Sequence, residues 1–305
     1  MNNIKRKISR YLNTRKLHAV AISEDDTARV VISSGRQQYD VQNAHALLSL
    51  KPFAIAVNAA AVPDIHAEEV TLQIIKNEKV LGALRLTATG KEATGGLQLL
   101  LFEATLTHQP FHWPEYTWNI LLLSLKNSTN KKSQNFMVPP DELLKLFVFS
   151  LKPRPVYLVS VQHDHGYDIF PVDIAGSIDE THCIYSIRSS SAVIPMIKSV
   201  KRICAATVPF DQRQAAYRLG HYHQASIVPE ADAVPTVLSQ VYRIPVPAFA
   251  VQVQELLLEH SFSKGVHTQF VFRVAHHYAW SKAPVLGHTP WFNRHYFRES
   301  SAVFK

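Results

Sequence analysis

The sequence predicts a mainly β protein of the α+β class, divided into two domains. Hydrophobic residues make up 47% and charged residues 18% of its 305 residues, a composition typical of globular proteins. The apolar residues form short runs bounded by turn signals, which favour strands over long helices. The segment from Lys126 to Asn135 is polar and lacks apolar periodicity, so it is interpreted as a linker or long loop. We therefore expect a β-rich domain over residues 1–130 and a second domain over residues 136–305.

The first domain carries strand patterns but no catalytic motif. Its apolar runs are rich in Val, Ile, Leu and Thr, and turn signals such as Lys76–Glu78 and Gly95-Gly96 separate them. A Walker loop needs Gly-Lys-Ser or Gly-Lys-Thr at the start of a helix, which Gly95-Gly96 does not provide. The fold and role of this domain stay open at the level of sequence. The predicted strands are His18–Ser23, Arg29–Ser33, Phe53–Ala59, Glu68–Ile75, Val80–Thr89 and Leu97–Leu106.

The second domain opens with a helix and a β-hairpin. Pro139 and Pro140 precede Asp141, whose side chain is placed to cap the free N–H groups of a helix that follows. A turn that includes Gly166 joins two strand patterns, because glycine supplies the positive φ that such turns need. The predicted strands of this region are Pro155–Val161, Tyr167–Ala175 and Cys183–Ile187.

Two short helices and a second hairpin complete the pattern. Ser189–Ser191 precede an apolar helix pattern and are suited to N-capping. Asp211 is expected to cap another helix, which stops at Gly220. Phe249–Leu257 and His267–Val274 have the alternation of paired strands. Many short strands with few short helices predict a closed or partly closed barrel.

Charge and composition restrict the function classes. The formal net charge is +8, but Lys and Arg are scattered apart from a cluster between Lys5 and Lys16, and no nucleic-acid-binding motif accompanies them. That cluster is interpreted as a solvated helix face or a frayed tail. The longest apolar runs, such as Ile120–Leu123, are too short to span a bilayer, and no apolar stretch follows the N-terminal charges. With two cysteines there is no disulfide framework, so we expect a cytoplasmic protein without nucleic-acid or membrane partners.

Five segments, taken in order, resemble the flavin reductase-like family of FMN-binding split barrels. In order, they are similar to the family's first strand, to the segment that leads to the flavin ring, and to the strand that precedes its phosphate-binding loop and helix. The last two are similar to the strand after that helix and to the family's Gly-Asp-His signature. The resemblance covers about half of the chain and leaves the first domain outside. The five segments are Arg154–Ser160, Gly166–Pro171, Tyr185–Arg188, Ala205–Pro209 and Gly265–Thr268.

The resemblance implies that the second domain is a split β-barrel with short helices that binds FMN. An FMN phosphate requires hydroxyls, backbone N–H groups and a cation, which a serine run after an arginine at a helix start would supply. A simple N-cap beside a surface arginine is the alternative interpretation. The resemblance further implies NAD(P)H as electron donor and a homodimer. The expected phosphate ligands are Arg188, Ser189, Ser190 and Ser191, and the expected ring-binding residues are Pro171, Val172, Asp173, Ile174 and Ala175.

His267 is the candidate catalytic residue, because it lies in the segment that resembles the signature beside the flavin and would help to position the nicotinamide. Val266 stands where the family usually has Asp, and Asp173 stands where a small neutral residue is common. Three functions therefore stay open: an NAD(P)H-dependent flavin oxidoreductase, a flavin-binding protein without turnover, and a partner-binding module in the first domain. The histidine pairs lack the spacing of metal motifs, so no metal site is predicted.

Overall fold

The computed structural model describes residues 17–22, 28–65, 68–108, 121, 138–164, 166–220 and 234–290. Within these ranges most residues lie in antiparallel strands and few in short helices, which confirms the predicted mainly β class. Strands are numbered β1 to β19 and helices α1 to α3 along the described chain.

The first large sheet has seven strands among the described residues. Five of them agree with predicted strands, and β3 and β4 were not predicted. The strands lie side by side in the order β3-β2-β6-β7-β8-β5-β4, and every neighbouring pair is antiparallel. They are β2 (Arg29–Ser34), β3 (Gln37–Asp40), β4 (His45–Leu50), β5 (Phe53–Asn58), β6 (Glu69–Lys76), β7 (Lys79–Thr94) and β8 (Leu97–His108).

The second large sheet also has seven strands in the part of the chain that the structure describes. Its order is β11-β10-β14-β17-β18-β13-β12, again antiparallel throughout. The strands are β10 (Tyr157–His163), β11 (Gly166–Val172), β12 (Ala175–Ser177), β13 (His182–Arg188), β14 (Arg202–Thr207), β17 (Gln252–Lys264) and β18 (His267–Ala279).

The two large sheets have the same strand order. Numbered by chain order within each sheet, the strands of both run 2-1-5-6-7-4-3. We call the sheet of β2–β8 the first unit and the sheet of β10–β14, β17 and β18 the second unit. The sequence left the fold of the first half open, and the structure shows that it repeats the topology of the second.

Two small sheets complete the described strands. One pairs β1 (Leu17–Ile22) with β19 (Val285–Pro290) and β19 with β9 (Arg154–Pro155). The other pairs β15 (Thr236–Leu238) with β16 (Pro245–Pro247). Because β1 and β19 come from opposite ends of the described chain, the first small sheet ties the start of the chain to the second unit.

Three α-helices lie in the described ranges: α1 (Pro140–Phe149), α2 (Val193–Val200) and α3 (Arg213–Leu219). Helix α1 packs its apolar side into the core of the first unit, where Leu143 and Phe147 join Phe53 and Leu72. The predicted cap at Asp141 is wrong: Pro139 occupies the N-cap and Asp141 lies in the first turn. Proline at the first helical position is favourable because its missing N–H would have no partner there. None of the described helices has the length and apolar content needed to span a bilayer.

The predicted linker between Lys126 and Asn135 lies outside the described residues, so the division at this point stays a prediction. Helix α1 follows this segment in sequence, yet it belongs to the core of the first unit. Strand β1 precedes the first unit in sequence, yet it pairs with β19 beside the second unit. The chain therefore crosses between the two units more than once.

The two units bury a shared apolar interface. It is formed by β4, β5 and β8 of the first unit and by residues in or beside β12, β13, β17 and β18 of the second. Polar groups also cross the interface: Ser186 Oγ donates to the backbone oxygen of Leu47 at 3.0 Å, and Gln269 Nε2 donates to that of Leu48 at 2.6 Å. The apolar members are Ala46, Leu48, Ala54, Ala56, Leu97, Leu99, Leu101, Ile178, Ile184 and Val271, with Phe262 against them.

Candidate functional site

The predicted phosphate ligands form an accessible loop. Arg188 ends β13, and Ser189–Ser191 connect it to α2 with Ser189 and Ser190 exposed. The prediction that these serines cap the helix is wrong, because Ala192 is the N-cap residue of α2 and no side chain caps it. The loop is held instead by Ser189, whose N–H donates to the backbone oxygen of Val266 at 3.1 Å and whose hydroxyl lies 3.1 Å from Thr268 Oγ1. One cation and three hydroxyls thus stand together at the end of a strand.

The predicted ring-binding segment, Pro171–Ala175, lies on the seam between the units. Val172 packs in the core of the second unit, whereas Ile174 packs in the core of the first. The strand predicted from Tyr167 to Ala175 is interrupted here, since β11 ends at Val172 and β12 begins at Ala175. The backbone oxygen of Ile174 accepts a hydrogen bond from the N–H of Ser186 at 2.9 Å, so the interruption stays attached to β13.

Asp173 is held in a network of polar side chains. Arg154 Nη1 donates to the backbone oxygen of Asp173 at 2.7 Å, and Nη2 lies 3.2 Å from its Oδ2. His288 Nδ1 lies 2.9 Å from the same Oδ2, and its Nε2 lies 2.9 Å from the hydroxyl of Tyr217. Burial alone would raise the pKa of Asp173, but Arg154 and His288 outweigh it and hold that pKa well below its usual range. Asp173 is therefore a carboxylate fixed by β9 and β19.

His267 is buried, with 2% of its surface exposed. Its Nδ1 lies 3.4 Å from the hydroxyl of Ser49 in the first unit. Burial, and then the positive charge of Arg188, lower the pKa of His267 to about 4, so the imidazole is neutral at pH 7. The adjacent turn is equally close to the first unit, because a Cβ on Gly265 would lie 2.2 Å from the backbone oxygen of Lys51. The candidate catalytic residue therefore lies between the units and not at an open surface.

A cavity of about 200 Å³ lies beside the ring-binding segment and is lined by both units. The second unit and β9 contribute Arg154, Tyr157 and the strand Ala175–Ser177. The first unit contributes Asn43 and His45, among others. Burial lowers the pKa of His45 to about 4 despite the hydrogen bond of its Nδ1 to the backbone oxygen of Val41, so its imidazole is also neutral at pH 7. We call this space the shared cavity.

A second, larger cavity of about 580 Å³ lies at the first unit, between the end of β5 and the turn that joins β7 to β8. Asn58, Ala59 and Ala60 form one side. Gly95–Gln98 form another, and Asp179 and His182 of the second unit close it. We call this space the first-unit cavity.

The structure places the site residues that were predicted from separate segments of the sequence near one another, and it adds residues that were not predicted. The charges of Arg188 and Asp173 both shift the pKa of His267, so the predicted phosphate loop, the predicted ring-binding segment and the candidate catalytic residue lie in one region of the protein. Sequence reasoning missed the shared cavity's wall in the first unit and the role of Arg154 in fixing Asp173. No local signal identifies such residues, because only the packing of the units brings them to the site.

Metal and thiol chemistry find no support in the described part of the chain. No group of three or more His, Cys, Asp or Glu residues there has a geometry that could hold a metal ion. Cys183 and Cys204 are free and buried, and burial raises the pKa of both thiols, that of Cys204 to about 12. Both are therefore protonated and poorly nucleophilic at neutral pH.

Comparison with known proteins finds similar proteins among solved structures only. No protein-family model and no curated protein matches the chain. An FMN-binding protein from Thermus thermophilus with bound 1-cyclohex-2-enone is 24% identical over 43% of this chain and 71% of its own, with a TM-score of 0.38. An NADH:FAD oxidoreductase from Streptomyces globisporus C-1027 is 18% identical over 50% of this chain and 95% of its own, at 0.41. The styrene monooxygenase flavin reductase from Pseudomonas putida S12 is 14% identical over 47% of this chain and 90% of its own, at 0.39.

These structures are FMN-binding proteins and flavin reductases, the class that the sequence resemblance also names. Each matches half of this chain or less.

Proposed function

We propose that this protein binds FMN at the seam between its units and transfers a hydride from NAD(P)H to the flavin. The observation that carries the proposal is the loop Arg188–Ser191, with its cation and three hydroxyls, at the end of β13 and close to the seam segment Pro171–Ala175. A homodimer, which the resemblance implies, stays a prediction.

The phosphate is proposed to bind at the loop. A phosphate ester binds well where a guanidinium, hydroxyls and free N–H groups meet. The serine hydroxyls are not consumed in capping α2, and Ser189 and Ser190 are exposed. Thr268 and Val266 hold Ser189 in place, so the loop needs little rearrangement to accept an anion.

The flavin ring is proposed to occupy the shared cavity. Ala175, which lines this cavity, pairs with Tyr185 on β13, and Tyr185 precedes Arg188 by three residues. Three residues of strand span about 10 Å, a separation that the ribityl chain can bridge. Tyr157 lines the cavity and offers an aromatic surface to a flat ring.

The role of the chain's own residues in this reaction is to position the nicotinamide donor and the flavin. A bound flavin supplies the hydride acceptor, and the protein has to hold donor and acceptor in register. Arg154 and His288 fix Asp173 beside the proposed ring, which keeps a negative charge at a defined position. We propose that His267 acts by holding the turn Gly265–Val266 against the phosphate loop, because the backbone oxygen of Val266 accepts the hydrogen bond from Ser189.

Flavin binding without turnover is the second candidate function. Its support is the burial of His267, of which 2% is exposed, since a side chain in this position cannot touch a nicotinamide at the surface. The ion pair of Asp173 with Arg154 in the ring segment favours the same alternative, because a fixed charge there departs from the pattern of the family that the sequence resembles.

The Arg188→Ala variant tests the proposal. A charge-assisted contact is worth about 1.5–3 kcal/mol, so we expect FMN affinity to fall roughly tenfold to a hundredfold. Riboflavin lacks the phosphate and is the matched control, so its affinity should hardly change. Flavin fluorescence quenching measures both, and loss of NADH or NADPH absorbance in the presence of FMN measures turnover. Equal losses for both flavins would make Arg188 a structural residue, and flavin binding without donor oxidation would favour the second candidate.

A further inference from the structure

The two units pack on each other through matching strands. The interface uses the third, fourth and seventh strands of the first unit, which are β4, β5 and β8, and the third, fourth and seventh of the second, which are β12, β13 and β18, with Phe262 of the sixth strand, β17, packed against them. Contact between the same surface of two equal folds is the mark of two-fold symmetry, here within one chain.

Individual contacts follow the same two-fold relation. The turn between the sixth and seventh strands of the second unit meets the end of β4, where a Cβ on Gly265 would lie 2.5 Å from Ser49 Oγ. The corresponding turn of the first unit, at Gly95, also meets the other unit, but it does so at Glu259 on the sixth strand, β17. Glu259 lies 3.3 Å from His182 at the start of β13. Ser186 on the fourth strand of the second unit donates to the third strand of the first, and Asn58 at the end of the fourth strand of the first unit donates to Ile178 O, directly after β12, at 3.1 Å.

This relation pairs the phosphate loop with a loop of different chemistry. The strand registers align the two units residue by residue. The turn between the sixth and seventh strands joins Lys264 to His267 in the second unit and Thr94 to Leu97 in the first. Counted from these turns, Ser186, which pairs with Gln269, corresponds to Asn58, which pairs with Leu99. Arg188 therefore corresponds to Ala60, and Ser189–Ser191 correspond to Ala61, Val62 and Pro63. The first unit has a methyl group in place of the cation and three apolar side chains in place of the three hydroxyls.

The first-unit loop is closed to an anion in other ways. Asn58 Nδ2 donates to the backbone oxygen of Ile178 and its Oδ1 accepts from the N–H of Ala60 at 3.0 Å, so both ends of the amide are engaged. The first-unit cavity is the larger one, at about 580 Å³, but the carboxylate of Asp179 lines it. A dianionic phosphate there would face a negative charge and no cation from the loop.

From these observations we infer that the chain is a fused pair of split-barrel units that binds one flavin, with the first unit forming a wall of the site and its own equivalent site unable to take a phosphate ester. The inference rests on the proposed function. It assigns a binding role to the segment Gln42–Leu47, which lines the shared cavity opposite Ala175–Ser177.

Two tryptophan variants of the first unit test the inference. Asn43 and Gln98 are exposed amides that line the shared cavity and the first-unit cavity, respectively. Asn43→Trp fills the shared cavity, so we expect affinity for FMN and for riboflavin to fall together by about tenfold or more. Gln98→Trp fills the other cavity and should leave both affinities unchanged. Titration of the wild type, with flavin followed by absorbance and chain mass by native mass spectrometry, should give one FMN per chain.

The outcomes separate this inference from the proposed function. Wild-type protein that binds neither FMN nor riboflavin would overturn the proposed function and this inference with it. Two FMN per chain, an effect of Gln98→Trp equal to that of Asn43→Trp, or an Asn43→Trp protein that keeps full affinity would overturn the inference alone. Circular dichroism and the thermal midpoint of both variants establish that they are folded. Arg188→Ala should weaken the affinity for FMN and leave that for riboflavin unchanged, so it distinguishes loss of the phosphate site from loss of the ring cavity.

Discussion

The close approach of the two units at Gly176 makes a sharp test of the interface. Gly176 lies in β12, and a Cβ built there would be 2.5 Å from the backbone oxygen of His45 and 3.0 Å from the Cα of Ala46. Both atoms belong to the backbone of β4, so no side-chain rotation can relieve the contact. Gly176→Ala therefore requires β4 and β12 to separate by about 1 Å, since optimal contacts between carbon atoms lie near 3.5–4.0 Å.

The expected cost follows from this overlap. Overpacking at a well-packed site costs about 1–3 kcal/mol, and replacing glycine by alanine returns about 0.4–1 kcal/mol by restricting the unfolded chain. We expect Gly176→Ala to lower the free energy of unfolding by about 1–2 kcal/mol. Gly90→Ala is the matched control, because nothing lies within 4 Å of a Cβ at that position and it should be neutral or slightly stabilising.

Urea denaturation followed by circular dichroism measures both variants. At a slope of about 3 kcal/mol per molar urea, a difference of about 2 kcal/mol between them would separate their midpoints by roughly 0.6 M. A Gly176→Ala protein that is as stable as Gly90→Ala would show that β4 does not press on β12 as described. In that case the two-fold packing of the units would lose one of its close contacts.

Two further predictions concern buried ionisable groups. Glu255 is fully buried and accepts hydrogen bonds from the N–H groups of Val241 and Tyr242, so Glu255→Ala should lower the free energy of unfolding by about 3 kcal/mol in the same urea assay. Glu92→Ala, at a partly exposed ion pair, is the control and should cost under about 1 kcal/mol. The second group is His267, whose pKa is lowered to about 4, so the unfolded chain binds a proton at this residue more readily than the folded protein as pH falls below about 6.5. The free energy of unfolding should therefore fall by up to about 3 kcal/mol between that pH and pH 4. A folded His267→Gln protein whose urea midpoint falls as steeply over this pH range would contradict the prediction.

Most strands of the first unit could be predicted from the sequence, and β4 shows why one could not. Alternation of apolar and polar residues reveals a strand that has one face in a core and one in water. In β4 the four central residues are all buried. Leu47 packs in the core of the first unit, whereas Ala46 and Leu48 pack against the second unit. Burial on both faces removes the alternation, so the strand that makes the interface is the one that the pattern conceals.

The candidate site was predictable only where its residues are contiguous. Arg188–Ser191 could be recognised because a cation and hydroxyls follow one another in the chain. Their counterpart, Ala60–Pro63, has no sequence likeness to them, and it is identified by the register of the fourth and seventh strands in a sheet of equal order. The prediction that the serines cap α2 failed for a related reason: hydroxyls before an apolar helix pattern suit a cap and a ligand site equally well, and tertiary structure decides between them.

Because the proposed site lies on the seam between the units, a fragment that carries only one unit would lack part of it. The sequence resemblance points to residues 136–305, but this fragment would lack β1, which pairs with β19, and β4, which covers β12 and β13. It would also expose His267, whose nearest polar contact in the first unit is Ser49. Exposure would remove the burial that lowers the pKa of His267, and the shared cavity would lose its wall at Asn43 and His45. Because the proposed phosphate loop and ring cavity are held by contacts from both units, a piece that carries both units, and not the half that carries the resemblance, is needed for the proposed flavin site to be complete.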